Sequence, residues 1–164
     1  MTDTLHDELT PTDPLPAQRS MVVVPRVHDG SGARVRYGLV QAELNPRGPM
    51  LMFPQGPVVD PEELRAGGAL LLEEEFGTGM APAVIAPLGV LYADQRKEER
   101  IDALLAVARR TDAEYGEELE PAGIPGVEWV DAQSLLELVK TGRIADTSTV
   151  SAIALLLACG ELVR

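Results

Sequence analysis

Three glutamates in a row, Glu73-Glu74-Glu75, stand just ahead of Gly77, and Glu62 lies six positions after Gly56. Carboxylate oxygens are hard donors, and a set of them can hold Mg2+ against a pyrophosphate. Ligation from one helix requires donors on one face, and residues four apart share a face. The residue one turn before Glu75 is Leu71, so Glu75 lacks a carboxylate partner there. Glu62 lies too far along the same helix to take that place without help from the preceding loop. A run of glutamates is also the ordinary composition of a solvated helix end. In the last turn such charges oppose the helix dipole, a small cost that a bound cation would offset.

A loop and a helix must position these groups. Pro61 suits a first helical turn, with Glu62 and Glu63 behind it, and the helix reads through to Phe76 before Gly77 stops it. Gly67-Gly68 in its middle weaken it by roughly 1 kcal/mol each, which predicts close packing against another backbone.

Residues 21–27 are β-branched and read as a strand, residues 28–32 as a turn, and residues 35–44 as the returning strand of a hairpin. Residues 45–49 read as a loop and 50–53 as a short strand ending at Pro54-Gln55-Gly56. Residues 83–92 read as one or two strands, 94–100 as a charged loop, and 101–108 as a strand whose Ala and Leu content would also suit a helix. Residues 111–125 read as an acidic loop and 127–130 as a short strand holding Trp129 as a buried aromatic. Residues 132–141 and 147–159 read as helices, the second capped by Asp146 or Thr147. The order predicts an α+β or α/β sandwich fold and not a regular βαβ alternation. Residues 1–18 read as a flexible leader and residues 19–164 as a single domain.

The bulk composition narrows the partners. The net charge is −12 over 164 residues, and no basic cluster exceeds Arg96-Lys97, so no nucleic acid polymer is expected. A small-molecule phosphate or metabolite is the expected ligand, a phosphate needing a cation to bridge it to carboxylates. The single cysteine, Cys159, excludes an internal disulfide and reads as a small core residue. His6 and His28 fall in a tail and a turn and give little support to histidine catalysis. The first 20 residues lack an apolar signal-peptide core and no run is long enough to span a membrane, so the protein is expected to be cytoplasmic, without a membrane partner.

The segment from Gly56 to Gly77 resembles the Nudix box, G-x5-E-x7-R-E-U-x-E-E-x-G-U, where U is a bulky aliphatic. Gly56, Glu62, Leu72, Glu74-Glu75 and Gly77 match it without gaps. Leu70 stands where the family has Arg, Leu71 where it has Glu, and Thr78 where it has the last aliphatic. Gly38-Leu39-Val40-Gln41, Phe53-Pro54-Gln55-Gly56, Glu98-Glu99-Arg100-Ile101 and Val127-Glu128-Trp129-Val130 are similar to flanking stretches of Nudix proteins, chiefly the ADP-ribose pyrophosphatase branch. So are Leu135-Leu136, Gly142-Arg143-Ile144 and the approach to the last helix.

The resemblance implies an α+β fold, a Nudix-type α/β/α sandwich with a mixed β-sheet. It implies Mg2+ or Mn2+ held by Glu75, Glu74 and the backbone carbonyl of Gln55. It implies Glu99 and Glu74 as catalytic groups, Glu62 and Arg100 at the substrate, and a homodimer. The substitutions at Leu70 and Leu71 remove an orienting arginine and a metal-ligating glutamate. The leading expectation is hydrolysis of a nucleoside diphosphate linked to another moiety, as in ADP-ribose, at an altered metal site. One alternative is the fold reused for different chemistry on an organic metabolite, with no metal cofactor. Another is a non-catalytic nucleotide- or metabolite-binding protein. The reused-fold alternative predicts a pocket lined by apolar groups near Leu70 and Leu71 instead of a carboxylate cage.

Overall fold

In a computed structural model, residues 18–28, 34–42, 50–77, 84–94, 99–109 and 126–162 are described. The first strand, β1 (Arg19–His28), is buried from Met21 through Val27. A strand that is apolar without alternation needs cover on both faces. Val22 and Val24 pack into one cluster with Ile101, Leu105, Ile153 and Leu156, while Met21, Val23 and Val27 pack into another with Leu72, Phe76 and Leu104.

The sheet that surrounds β1 is mixed. β2 (Val35–Ala42) meets the end of β1 antiparallel, and β6 (Glu99–Arg109) runs parallel to β1 along its whole length. β5 (Val84–Asp94) lies antiparallel outside β6. β3 (Met50–Met52) and β7 (Val127–Val130) both pair with β2. β4 (Gln55–Pro57) pairs with the start of β1, so residues 50–57 cross from β2 to β1 as one extended segment. The path reads β3-β2-β1-β6-β5, with β4 and β7 off it. The helix α1 (Leu64–Phe76) covers one face, and α2 (Ala132–Lys140) and α3 (Thr147–Ala158) cover the other. This is the expected α+β sandwich with a mixed sheet.

A 3-10 turn, Pro61–Glu63, leads into α1, with the Asp60 side chain accepting from the Glu62 amide. Gly77 ends α1 at φ 72°, a conformation that favours glycine. The glycine pair packs closely, but against side chains of the sheet and not against another backbone. A Cβ at Gly67 would lie 3.0 Å from Met21 Cε, and one at Gly68 3.1 Å from Leu104 Cδ1. Asp146 caps α3 through the Thr149 amide, as expected.

Several expectations are corrected. Glu99 and Arg100 do not sit in a loop; they open β6, because backbone pairing with Asp94, Tyr92 and Arg19 extends the ladder into a charged stretch. Residues 84–94 form one strand with register shifts at Pro87/Gly89 and Tyr92/Asp94, tolerable for Pro on an edge strand. Cys159 is exposed, because α3 ends at Ala158 and the cysteine follows as its cap. His28, expected to open a turn over 28–32, ends β1 instead. Residues 1–17, 29–33, 43–49, 78–83, 95–98, 110–125 and 163–164, with the expected leader, the rest of that turn and the expected loops at 45–49 and 111–125, lie outside the described residues. Among the described residues, no helix is long and apolar enough to cross a membrane.

Gly38 on β2 is the tightest contact of the α1 layer. A Cβ there would fall 2.8 Å from Phe76 Cε1 and 2.9 Å from Trp129 Cη2, both on rigid rings. Gly38→Ala is therefore expected to destabilise the fold by about 1–3 kcal/mol, read from the urea midpoint. An unchanged midpoint would mean that the rings can withdraw freely.

Candidate functional site

The altered box lies on α1, and the structure shows what the alterations do locally. The buried stripe of α1 is Gly68, Leu72 and Phe76. The adjoining stripe is Glu63, Gly67, Leu70, Leu71 and Glu74, at the three- and four-residue spacing of one helix face, and it borders a pocket. Met21 of β1, Gly56 and Pro57 of β4, and Val59 close the other side. The pocket encloses about 390 Å³, within the range of small-ligand sites.

Leu71 defines its floor. Leu71 is partly buried against the α1-side core and lies next to Gly56, where an added Cβ would make ordinary contact with Leu71 Cδ1 at 3.4 Å. The position where the box resemblance places a ligating glutamate therefore holds a hydrocarbon packed on the strand. Leu70, at the orienting arginine position, is 61% exposed and hangs at the mouth. A pocket with apolar groups around Leu70 and Leu71 is thus present where the reused-fold alternative looks for one.

The carboxylates do not converge. Among the described residues, no group of three or more His, Cys, Asp or Glu side chains is arranged to hold a metal ion. Glu73, Glu74 and Glu75 are all exposed, and of the three only Glu74 borders the pocket. Glu75, the expected metal ligand, stays off it. Mg2+ needs near-octahedral oxygen coordination, and the donor set present does not fit it.

The other candidate residues are dispersed. The Gln55 side chain donates to Asp146 Oδ1 at 2.8 Å and Oδ2 at 3.1 Å, so it serves the cap of α3 on the opposite face of the sheet. Glu62 is exposed in the turn before α1, outside the pocket lining. Glu99 alternates with Arg100 along β6 and so shares the face of Ile101 and Ala103, the side away from α1. The structure thus brings Leu70, Leu71 and Glu74 to one pocket, whose lining does not include Glu62, Glu75 or Glu99.

Arg100 is on the α1 side, but it is engaged. Asp102, buried and paired with Met21 in the β1–β6 ladder, receives Arg19 Nε at 2.7 Å, Arg19 Nη2 at 3.2 Å and Arg100 Nη2 at 2.8 Å. Burial alone would push the Asp102 carboxyl up, but the hydrogen bonds and charges of Arg19 and Arg100 outweigh it and hold the carboxyl below the usual range. The same hydrogen bond raises the Arg100 guanidinium above its ordinary value.

Sequence reasoning missed Asp60, Glu63 and Met21 at the pocket and missed the Arg19–Asp102–Arg100 cluster. Glu63 was detectable in principle, since it shares a helix face with Gly67, Leu70, Leu71 and Glu74. Asp102 also had a signal, a lone charge inside the apolar run from Ile101 to Leu105. Trp129 is a half-buried strand aromatic, its ring 5.3 Å from that of Phe76.

No protein-family model and no curated protein matches the sequence. Solved structures do match. An ADP compounds hydrolase superposes with a TM-score of 0.63 at 17% identity, over 91% of this chain and 77% of that one. NrtR of Shewanella oneidensis gives 0.59 at 17% identity, over 84% of this chain and 61% of that one. The NUDIX domain of the same NrtR, complexed with ADP ribose, gives 0.60 at 18% identity, over 96% of this chain and 99% of that one. Likeness at such identity establishes the fold and not the chemistry. The chain therefore has the Nudix fold.

Proposed function

We propose that this chain uses the Nudix fold to bind a small organic ligand in the pocket beside α1, without acting as a metal-dependent pyrophosphohydrolase. The observation that carries the reading is Leu71 packed against the α1-side core and lining the pocket, which puts hydrocarbon where the box resemblance calls for a metal ligand. The carboxylates that line the pocket, Asp60, Glu63 and Glu74, are not arranged to hold a metal ion that would bridge them to a pyrophosphate. The residues at the pocket can enclose a ligand body, exclude water from it and orient a polar head at the rim.

The test is incubation of the protein with ADP-ribose and Mg2+ or Mn2+, with calorimetry of metal binding alongside. The expected result is no AMP above background and no metal uptake by the α1 carboxylates. AMP release that is lost in Glu74→Gln would reverse the reading. Leu70→Arg combined with Leu71→Glu restores the box, and activity found only in that double variant would support the proposal.

The pyrophosphohydrolase reading keeps two observations in its favour: Glu74 does reach the pocket edge, and a matching NUDIX domain was solved with ADP ribose. In that reading Mg2+ or Mn2+ would be held by Glu74 and Glu75 with the Gln55 carbonyl. Glu99, Glu62 and Arg100 would serve catalysis and substrate, and the homodimer would be retained.

A further inference from the structure

We propose that the pocket between α1 and the start of β1 takes an organic cation: an apolar body carrying an ammonium-type head. The proposal rests on the small-ligand reading of this site and adds the charge of the ligand to it. The walls favour a hydrocarbon or ring. Buried Met21, half-buried Leu71 and exposed Pro57 line the pocket, together with Val59 and Leu70, whose surfaces are 93% and 61% exposed. Large apolar side chains left open around a cavity are what a bound apolar body would cover.

The polar lining has one sign. Asp60, Glu63 and Glu74 supply the ionisable groups of the pocket, and among the described residues no Lys, Arg or His lines it. The arginines nearest in the sheet, Arg19 and Arg100, are held by Asp102. Asp60 is exposed and accepts from the Glu62 amide in its own turn, while Glu63 and Glu74 are the exposed carboxylates that the helix side contributes. They lie three turns apart on one face of α1 and bracket Leu70. An anion entering here would meet three lining carboxylates in a chain of net charge −12, with no cation among the described lining residues. A cationic head would meet attraction, strengthened where the apolar walls exclude water. A divalent metal does not satisfy the same site, since the carboxylates are spread along the helix and do not converge.

The test uses three probes of matched shape: 2-phenylethylamine, 3-phenylpropanoate and 2-phenylethanol, titrated against 15N-labelled protein. The amine is expected to shift the Gly56 and Gly67 amides saturably and to bind roughly fivefold or more tighter than the acid. Added salt should weaken the amine and leave the alcohol unchanged. Glu63→Gln or Glu74→Gln should weaken the amine roughly fivefold without changing the alcohol; both side chains are exposed, so neither variant threatens the fold. The proposal is overturned if the acid binds as tightly as the amine, if both variants leave the amine unaffected, or if the amine gives no saturable shift. ADP-ribose turnover would remove the small-ligand reading itself, whereas equal binding of amine and acid removes only the assignment of charge.

Discussion

Asp102→Asn is expected to destabilise the protein by about 3 kcal/mol at neutral pH, the lower part of the range for breaking a buried ion pair. The substitution keeps the shape and removes the charge that both arginines face. Arg19 and Arg100 retain 23% and 39% side-chain exposure, so water compensates part of the loss and the upper part of the range does not apply. The pH dependence isolates the electrostatic cause. The Asp102 carboxyl is held below its unfolded value, so its contribution is fully present above the ordinary carboxylate range and is lost as pH falls through the lowered value. Urea denaturation at stepped pH should show a constant gap between wild type and variant at neutral pH that narrows on acidification. A gap that persists unchanged into acid would assign the effect to packing instead of charge.

Phe76→Ala should cost about 3–5 kcal/mol. Phe76 is 2% exposed and fills the space between Gly38 and Trp129 at the end of α1. Trp129 is the single tryptophan of the chain, so its fluorescence reports this contact directly. The variant should show a lowered urea midpoint and a red-shifted native emission, because the indole loses its ring neighbour. The exposed adjacent residue provides the contrast: Glu75→Gln should stay within about 0.5 kcal/mol of wild type. A Phe76→Ala cost below about 1 kcal/mol would mean that α1 is anchored elsewhere and that its register on the sheet, and with it the pocket, is set by Gly67 and Gly68.

The fold was more legible in the residues than the site was. The loop-helix-glycine pattern from Gly56 to Gly77, the close-packing glycine pair and the Asp146 cap are local signals, and each corresponds to a local structure. β4 left no periodic trace because only three residues pair, and its pairing comes from the start of β1. Charged residues at the start of β6 read as loop because composition reports side chains, whereas the ladder there is made by backbone. The pocket was half legible: helical spacing groups Glu63, Gly67, Leu70, Leu71 and Glu74, but nothing local places Met21 or Gly56 opposite them. The Glu99 role rested on a resemblance to a loop, and strand alternation is what sets it on the far side of the sheet from Glu74.

The parallel pairing of β1 with β6 has a consequence for the order of events during synthesis. β1 leaves the ribosome before the strand that covers its second edge, with Arg19 and Asp102 83 positions apart. Contacts of such separation are slow to form, because the loop must close before they repay it. Until β6 is made, the run Met21-Val22-Val23-Val24 can be paired on one edge only, by β4 and the Pro54 carbonyl just before it. A ribosome paused before β6 therefore presents an open apolar strand, the kind of species that invites aggregation or chaperone capture.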